Sequence, residues 1–429
     1  MSGLEIEIGH GGAIAVDTGQ LRDVGSRMRG VAERYEDARS AVVRAQEVIL
    51  SAPAACPQVD VHALAASAER LGAVAAELLD ACVGTELMAD AFEVVELRAE
   101  VEALALTDAA AAAAAEARLE QLVSGDERVG AMAEWLVAGW EDRRFQGAGR
   151  QFDAGGLLSP LFLAGAFIGV ATGLGAVVAG APLKGRPDPI RVTPVKASTP
   201  AAPQNLAGAL RRMPSSTAQV AVEKYTMADG GTRFVTYIAG TRNGAPWEGG
   251  KEEPWDMKSN VELYQGHTSA SYQATLDALT EAGAEPGDRV DVVAYSQGGM
   301  IAAHLATESP YDVGMQVTAG SPQQPSLGHD QTLIQLRHSD DLVSNLAAGG
   351  SAAGTGSADS FTATRVGDPR AGLQDVALRA HALETYIETA GMVDASDDPR
   401  AEALDAYWAE LATAVEIERT EYRAERTPR

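Results

Sequence analysis

The chain has 429 residues, of which 34 are basic and 60 acidic, so its formal net charge is −26. This length allows two or three domains with their own hydrophobic cores. The negative charge argues against a nucleic-acid partner, because phosphate binding needs a basic surface that releases counterions. Two cysteines, Cys56 and Cys82, are too few for a disulfide framework, and we expect both to be free thiols.

The first part of the chain, residues 1–150, has a helical pattern after a short opening hairpin. Asp17 and Thr18 are good N-caps for a helix that continues to about Leu50, and alanine-rich stretches continue the pattern beyond the next loop. Long helices joined by short loops predict an antiparallel bundle. Its residues show no metal-ligand spacing, so we interpret it as a structural domain or as the binding site of a helical protein partner.

An apolar segment follows the bundle. Residues 154–183 carry no charged side chain, and this length exceeds the roughly 20 residues that cross a bilayer. Three glycines in this segment form a GxxxGxxxG pattern, which is typical of closely packed membrane helices. We assign 151–183 to an apolar helical segment and expect 155–182 to associate with a membrane. The alternative is a buried helical hairpin, broken at Pro160 and the glycines.

The chain beyond the apolar segment divides into three parts. Residues 184–217 are rich in proline, which predicts an extended linker. Strand patterns then alternate with helix patterns over residues 218–395, which indicates a mostly parallel sheet flanked by helices. Residues 396–429 carry many charges around an apolar stripe, which predicts one C-terminal helix.

One predicted strand ends in an unusual turn. The stretch VDVVAYSQGGMIAAHLA, residues 290–306, places a serine and two glycines between an apolar strand and a helix. Its segment AYSQG is a variant of the G-x-S-x-G turn that presents a nucleophilic serine. Small residues are needed two positions before and after the serine, because the strand and helix backbones nearly touch there. We therefore interpret Ser296 as a nucleophile.

The later strands supply candidates for an acid and a base. A serine hydroxyl is a poor nucleophile at neutral pH and needs a base that is itself held by an acid. In a sheet of this kind the acid and the base follow the serine in that order. Asp340 and Asp341 follow the predicted strand TLIQLRH, and His381 lies in or just before the last helix of this region. We expect Ser296, one of the two aspartates and His381 to converge at the carboxyl edge of the sheet.

Acyl transfer at this serine also needs two N–H donors for the oxyanion. The amide of Gln297 is one candidate, since it follows the nucleophile at the head of a helix. We assign the other to the amide of Thr241, in the loop YIAGTRNGAPW after an early strand. Trp247 and Trp255 in the following loop, together with His267, are candidate substrate contacts.

These segments resemble those of a known group of proteins. Residues 218–392 are similar to small α/β-hydrolase serine esterases and lipases, close to class 3 lipases and cutinase-like enzymes. The matching pieces are YIAGT before the oxyanion loop, AYSQGG at the nucleophile, TAGSP on the next strand, SDDLV at the acid and AHALETY at the base. In the lipases the acid stands in an Asp-x-Val-Pro run, so the resemblance favours Asp341 over Asp340, with Ser344 in place of the proline.

The resemblance implies an enzyme that cleaves carboxylic esters, including those of lipids, through a Ser-His-Asp triad and an acyl-enzyme, without a metal or a cofactor. The alternative hypothesis is an exported or membrane-anchored effector or assembly protein whose bundle binds partners and whose hydrolase fold is a payload or a scaffold. The opening MSGLEIEIGHGG lacks the features of a secretory signal. We expect association with a membrane or export to the cell envelope, with the cytoplasm as the alternative.

Overall fold

The computed structural model describes most of the chain apart from the apolar segment and several loops. The described residues are 6–10, 18–52, 59–105, 108–143, 175–214, 216–244, 248–347, 350, 354–370, 372, 374 and 378–428. The chain forms two compact units, a helical unit and a sheet unit. The helical unit comprises Val16–Arg98 and Ala114–Leu136, and the sheet unit comprises Met1–Ala15, Ala99–Ala113 and Val137–Arg429.

Long helices occupy the N-terminal region, as the sequence pattern predicts. They are α1 (Thr18–Ser51), α2 (Val61–Leu104), α3 (Ala109–Gly125) and α4 (Glu127–Arg143). In the helical unit α1 and α2 run antiparallel, since Arg22 pairs with Asp90 and Arg29 pairs with Glu86, each at 2.8 Å. Cys82 is a buried free thiol on α2, and Cys56 lies outside the described residues.

The sheet unit is built on strands and on helices that cover them. The strands are β1 (Glu7–Gly9), β2 (Ala176–Val177), β3 (Ile190–Ser198), β4 (Val220–Thr226), β5 (Thr232–Ile238), β6 (Val290–Tyr295), β7 (Met315–Ala319), β8 (Gln324–Pro325), β9 (Thr332–His338), β10 (Phe361–Arg365) and β11 (Glu416–Arg426). The helices are α5 (Leu206–Leu210), α6 (Met257–Tyr264), α7 (Ala270–Glu281), α8 (Gln297–Glu308), α9 (Leu383–Asp394) and α10 (Pro399–Leu411).

A nine-stranded sheet has the order β1-β10-β9-β7-β6-β5-β4-β11-β3. Strands β5, β6, β7, β9 and β10 are parallel, and the outer strands pair antiparallel. Side chains alternate between the two faces, so Tyr237 packs with α5, α9 and α10 while Ile238 packs with α6, α7 and α8. The predicted α/β architecture, a mostly parallel central sheet flanked by helices, is confirmed.

The parallel strands end at one edge of the sheet. β6 ends at Tyr295, β7 at Ala319 and β9 at His338, so the loops that follow them leave the sheet on the same side. Ligand sites of open α/β sheets lie at this carboxyl edge. The loops that carry Ser296 and Asp341 both begin there.

The prediction of an extended linker over 184–217 is wrong. This stretch forms the edge strand β3 and the short helix α5, whose first amides, on Leu206 and Ala207, donate to the Asp394 carboxylate at 2.9 and 3.0 Å. Pro194 lies within β3, which tolerates it because an edge strand has one unpaired side. The register also shifts opposite Pro194, between Glu421 and Tyr422.

The prediction of a single helix over 396–429 is wrong beyond Leu411. After α10 the chain forms β11, which lies between β4 and β3 and pairs antiparallel with both. β11 includes the charged residues Arg419, Glu421 and Arg426, all of them buried although they do not share one face of the sheet. These buried charges hide the alternation of polar and apolar residues that identifies a strand.

The opening stretch and the apolar segment also contribute strands. β1 pairs antiparallel with β10 at the sheet edge, and the second half of the predicted opening hairpin, residues 11–17, lies outside the described residues. The apolar segment up to residue 174, with its three-glycine pattern, lies outside the described residues. Its described end contains β2, which pairs with β8. Within the described part of the chain, no helix has both the length and the apolar character needed to cross a membrane.

A buried ion cluster joins β11 to β4. The carboxylate of Glu223, on β4, is fully buried and lies 2.7 Å from Arg212 and 3.0 Å from Arg419 on β11. Its other oxygen accepts hydrogen bonds from the hydroxyls of Tyr225 and Tyr237, at 2.7 and 3.1 Å. A buried carboxylate of this kind is tolerated only while its partners remain in place.

Replacement of Arg419 tests the importance of this cluster. Arg419→Met should lower the free energy of unfolding by about 3 kcal/mol, because Glu223 then keeps one cationic partner instead of two. Urea denaturation followed by circular dichroism measures the change. Arg423→Met, at an exposed position of the same strand, is the control and should change stability by no more than about 0.5 kcal/mol. Equal stability of the two variants would contradict the prediction.

Candidate active site

Ser296 stands at the junction between β6 and α8 in a strained backbone conformation. Its φ is 54° and its ψ is −119°, values that residues other than glycine rarely adopt. Two hydrogen bonds hold the turn: the Ser296 amide donates to the Ala319 carbonyl at 2.9 Å, and the Ser296 carbonyl accepts from the Gly299 amide at 2.8 Å. The serine is 6% exposed.

The two glycines after Gln297 allow α8 to approach the sheet closely. A Cβ at Gly298 would lie 2.4 Å from the carbonyl oxygen of Ile238, at the end of β5. A Cβ at Gly299 would lie 2.5 Å from the Cβ of Ser321, in the loop after β7. Both distances are below van der Waals contact, so any larger residue would push the head of α8 away from the carboxyl edge.

His381 connects the serine to an acid. It ends a 3₁₀ turn, Arg379–His381, directly before α9. Its Nε2 lies 2.8 Å from Ser296 Oγ, and its Nδ1 lies 2.7 Å from Asp341 Oδ2. The imidazole is 12% exposed and the Asp341 side chain is fully buried. The structure therefore brings together three side chains of which the first and the last, Ser296 and His381, are 85 positions apart in the sequence.

The surroundings of Asp341 favour its ionised form. Burial by itself would raise the pKa of this carboxyl, but the charge of His381 and the hydrogen bonds from His381 and Tyr386 outweigh burial and hold the pKa below its ordinary value. The amide of Val343 donates a further bond at 2.9 Å. An ionised carboxylate only accepts hydrogen bonds, so His381 Nδ1 carries a proton and Nε2 accepts from the Ser296 hydroxyl.

Tyr386 and His338 form a stacked pair behind the acid. The Tyr386 hydroxyl donates to Asp341 Oδ2 at 2.6 Å, and its ring lies 3.9 Å from the His338 ring with an angle of 8° between the planes. Burial lowers the pKa of His338 to about 4, so this imidazole is neutral at neutral pH. Its Nδ1 donates to the carbonyl of Ala380, next to His381, at 2.6 Å. No sequence pattern points to either residue, although Tyr386 lies only five positions after His381.

Two further residues fix the position of the His381 ring. The Tyr295 hydroxyl donates to the His381 carbonyl at 2.7 Å, and the two rings stack with centroids 5.3 Å apart. Gly320, after β7, has a φ of 63°, and a Cβ there would lie 3.0 Å from His381 Cε1. A side chain at position 320 would therefore displace the imidazole.

The other candidate acid, Asp340, has a different role. Its carboxylate accepts hydrogen bonds from the amides of Gly367 and Asp368, at 2.7 and 2.8 Å. Burial raises the pKa of this carboxyl. The structure places Asp341 against His381, and Asp340 anchors the loop that follows β10.

The loop after β5 lies directly against Ser296. A Cβ at Gly240 would lie 2.9 Å from the Cβ of Ser296, so only glycine permits this approach. Thr241 follows, and its hydroxyl accepts a hydrogen bond from Asn260 Nδ2 at 2.9 Å. Gln297 is the first residue of α8, on the other side of the serine. The predicted oxyanion donors, the amides of Thr241 and Gln297, thus belong to the two segments that flank Ser296.

Trp255 supports this loop from the core, and its prediction as a substrate contact is wrong. The side chain is fully buried, and its Nε1 donates to the carbonyl of Ala239 at 3.0 Å. Its own carbonyl accepts from the amides of Arg242 and Asn243, at 2.8 and 3.1 Å. A buried tryptophan combines a large apolar surface with one donor, and here that donor fixes the start of the loop after β5.

The remaining candidate contacts are not part of the triad. Trp247 lies outside the described residues. His267 is exposed between α6 and α7, where its backbone pairs with that of Lys184, and no hydrogen bond or ion pair among the described residues joins its imidazole to the triad. Over the same residues, no group of three or more His, Cys, Asp or Glu side chains is arranged to hold a metal ion.

Comparisons with protein-family models, with curated proteins and with solved structures gave no match. A function for this chain therefore has to be inferred from the geometry around Ser296.

The low pKa of Asp341 gives a pH-dependent contribution to stability. In the unfolded chain an aspartate titrates near pH 3.9, and in the folded chain Asp341 titrates lower. Its contribution is therefore complete above about pH 4 and is lost as the pH falls through the folded value. We expect the difference in unfolding free energy between wild type and Asp341→Asn to shrink below about pH 4.

Urea denaturation at pH 7, 4 and 3 measures this difference. Asp359→Asn, at an exposed position, is the control and should stay within about 0.5 kcal/mol of wild type at each pH. A difference for Asp341→Asn that does not change between pH 7 and pH 3 would contradict the prediction.

Proposed function

We propose that this chain is a serine hydrolase of the α/β-hydrolase type that cleaves carboxylic esters. The observation that carries the proposal is the chain of hydrogen bonds from Ser296 through His381 to Asp341, at 2.8 and 2.7 Å, on a serine with strained backbone. Strain and buried titratable groups cluster at functional sites. A packed core has no need for a hydroxyl, an imidazole and a carboxylate in line.

The proposed reaction begins with attack by the serine. His381 Nε2 takes the proton from Ser296 Oγ while the oxygen bonds to the acyl carbon of the ester. Asp341 stabilises the resulting imidazolium and keeps the ring in the required tautomer. The acyl oxygen becomes an oxyanion, which accepts hydrogen bonds from the amides of Gln297 and Thr241. The dipole of α8 also favours negative charge at this point.

The tetrahedral intermediate collapses to an acyl-enzyme. The bond to the alcohol oxygen breaks, and His381 returns the proton to the leaving alcohol. Water then enters, loses a proton to His381 and attacks the acyl carbon. The bond to Ser296 Oγ breaks as His381 gives that proton to Oγ, which releases the acid and restores the serine hydroxyl. Each proton taken up by His381 is given back within the same half-reaction.

An ester with an apolar acyl group is the substrate class that we propose. The position of the described end of the apolar segment supports this substrate class. Its strand β2 pairs with β8, and β8 follows β7 after a short loop at the carboxyl edge of the sheet, the edge that also carries Ser296. A panel of p-nitrophenyl esters of increasing acyl length tests this preference. Highest kcat/KM for the longer chains is expected, and a preference for acetate would contradict it.

Covalent labelling tests the nucleophile. A fluorophosphonate probe should label the wild-type protein and should leave Ser296→Ala unlabelled, because the probe reacts with an activated serine. Mass spectrometry of the labelled peptide identifies the site. Ser309→Ala, at the far end of α8 and more exposed than Ser296, is the matched control and should label like wild type. Folded wild-type protein that does not react would contradict the proposed function.

Tyr386→Phe tests the support of the acid. It removes one charge-assisted hydrogen bond to Asp341, so kcat/KM for a p-nitrophenyl ester should fall about ten-fold while the fold is retained. Tyr407→Phe is the matched control, since the Tyr407 hydroxyl donates to a different buried carboxylate, that of Asp291, at 2.9 Å. It should leave kcat/KM unchanged. Equal activity of the two variants would show that the Tyr386 bond does not matter for catalysis.

A further inference from the structure

The strand β11 ends in a buried arginine with many partners. Arg426, at the end of β11, forms a two-pronged ion pair with Asp256: Nη1 lies 2.7 Å from Oδ2, and Nη2 lies 3.0 Å from Oδ1. Nη1 also donates to the carbonyls of Lys251 and Glu253, at 3.0 and 2.7 Å. The side chains of Arg426 and Asp256 are 5% and 1% exposed. Such a planar pair fixes orientation as well as distance.

Asp256 in turn holds the segment that leads into α6. Its Oδ1 accepts from the amide of Ser259, which makes Asp256 the N-cap of α6, and its Oδ2 accepts from the amide of Gly250 at 2.6 Å. Arg426 Nη2 reaches the same helix end through Ser259 Oγ at 3.0 Å. The Asp256 carboxylate therefore binds the end of β11 through Arg426, the first turn of α6 through Ser259 and the preceding turn through Gly250.

The segment 255–260 contacts the oxyanion loop at several points. Trp255 bonds to Ala239 through its indole and to the amides of Arg242 and Asn243 through its carbonyl. Asn260, in the first turns of α6, bonds to the Thr241 hydroxyl. The residues on both sides of Gly240 thus form hydrogen bonds with the segment 255–260, and Arg426 and Asp256 fix the position of that segment.

We propose that Arg426 is a positioning residue for the oxyanion site: through Asp256 and the segment 255–260, it sets the position of the Thr241 amide relative to Ser296. This inference rests on the proposed function, since it assigns a role within that reaction. Arg426 contacts neither the substrate nor the triad. Its effect arises because an oxyanion donor loses most of its value when it is displaced by about 1 Å.

This role differs from a general contribution to stability. The Glu223 cluster also joins β11 to the sheet, but its partners lie on β4, β5 and the segment before β4. Apart from Asp188, whose carboxylate lies 3.1 Å from Arg426 Nε, the side-chain partners of Arg426 lie instead on residues 251–259, which lead into α6 and hold the oxyanion loop. A change at Arg426 should therefore affect the step in which the oxyanion forms, and it should leave ground-state binding of the ester unaffected.

Arg426→Lys is the primary test, because it keeps a charge beside Asp256 and removes the two-pronged geometry. We expect kcat for a short p-nitrophenyl ester to fall between roughly ten-fold and a hundred-fold, with KM unchanged within about two-fold. The inhibition constant of an alkyl boronic acid, whose tetrahedral adduct places an oxygen in the oxyanion site, should rise by the same factor as kcat falls. Arg423→Lys, exposed on the same strand, should match wild type in all three quantities.

A double variant, Arg426→Gln with Asp256→Asn, is measured in parallel and provides the test if the lysine variant fails to fold. It removes both members of the ion pair, so neither buried charge is left without its partner. The same loss of kcat at constant KM is expected in it. A kcat within two-fold of wild type, in whichever of these variants folds, would overturn the positioning role. Fluorophosphonate labelling of the wild-type protein separates the two proposals: its absence would overturn both, whereas labelled wild type with fully active variants would overturn this one alone.

Discussion

The close contact between α8 and the end of β5 is the constraint on which the rest of the site depends. Because Gly298 has no side chain, the helix lies against the carbonyl of Ile238, and the turn that leads into it holds Ser296 at a positive φ. The same contact brings the first amide of α8 next to the loop after β5. A single steric requirement thereby places the hydroxyl, and the two backbone segments that flank it, at one point of the sheet edge.

The polar groups around this point are held by other protein groups. Tyr386 bonds to Asp341, His338 stacks beneath Tyr386, and His338 bonds to the carbonyl next to His381, so the acid and the base are joined by a second route besides their own hydrogen bond. Buried networks of this kind are stable only when each member is satisfied. Satisfied members move little, and a rigid imidazole keeps the distances that proton transfer requires.

The sequence predicts the central features because their signals are local. The turn at Ser296 depends on its immediate neighbours, and the helix that follows His381 has a clear apolar period. The prediction of a helix at β11 is wrong because the partners of the buried charges of β11, Glu223 and Asp256, are about 200 and 170 positions away, so no local pattern shows them. The role of Trp255 was missed for a related reason: no local pattern shows whether an aromatic side chain in a long loop faces the core or the cleft.

The position of β11 in the sheet has a consequence for the order of events on the ribosome. Residues 416–426 are made after every other described strand, yet they lie between β4 and β3. Until they emerge, β3 has no neighbour in the sheet, and β4 presents an open edge to which other chains can bind. The nine-stranded sheet therefore cannot form before residues 416–426 have emerged, and a chain that is released earlier carries an incomplete sheet with two unprotected strands.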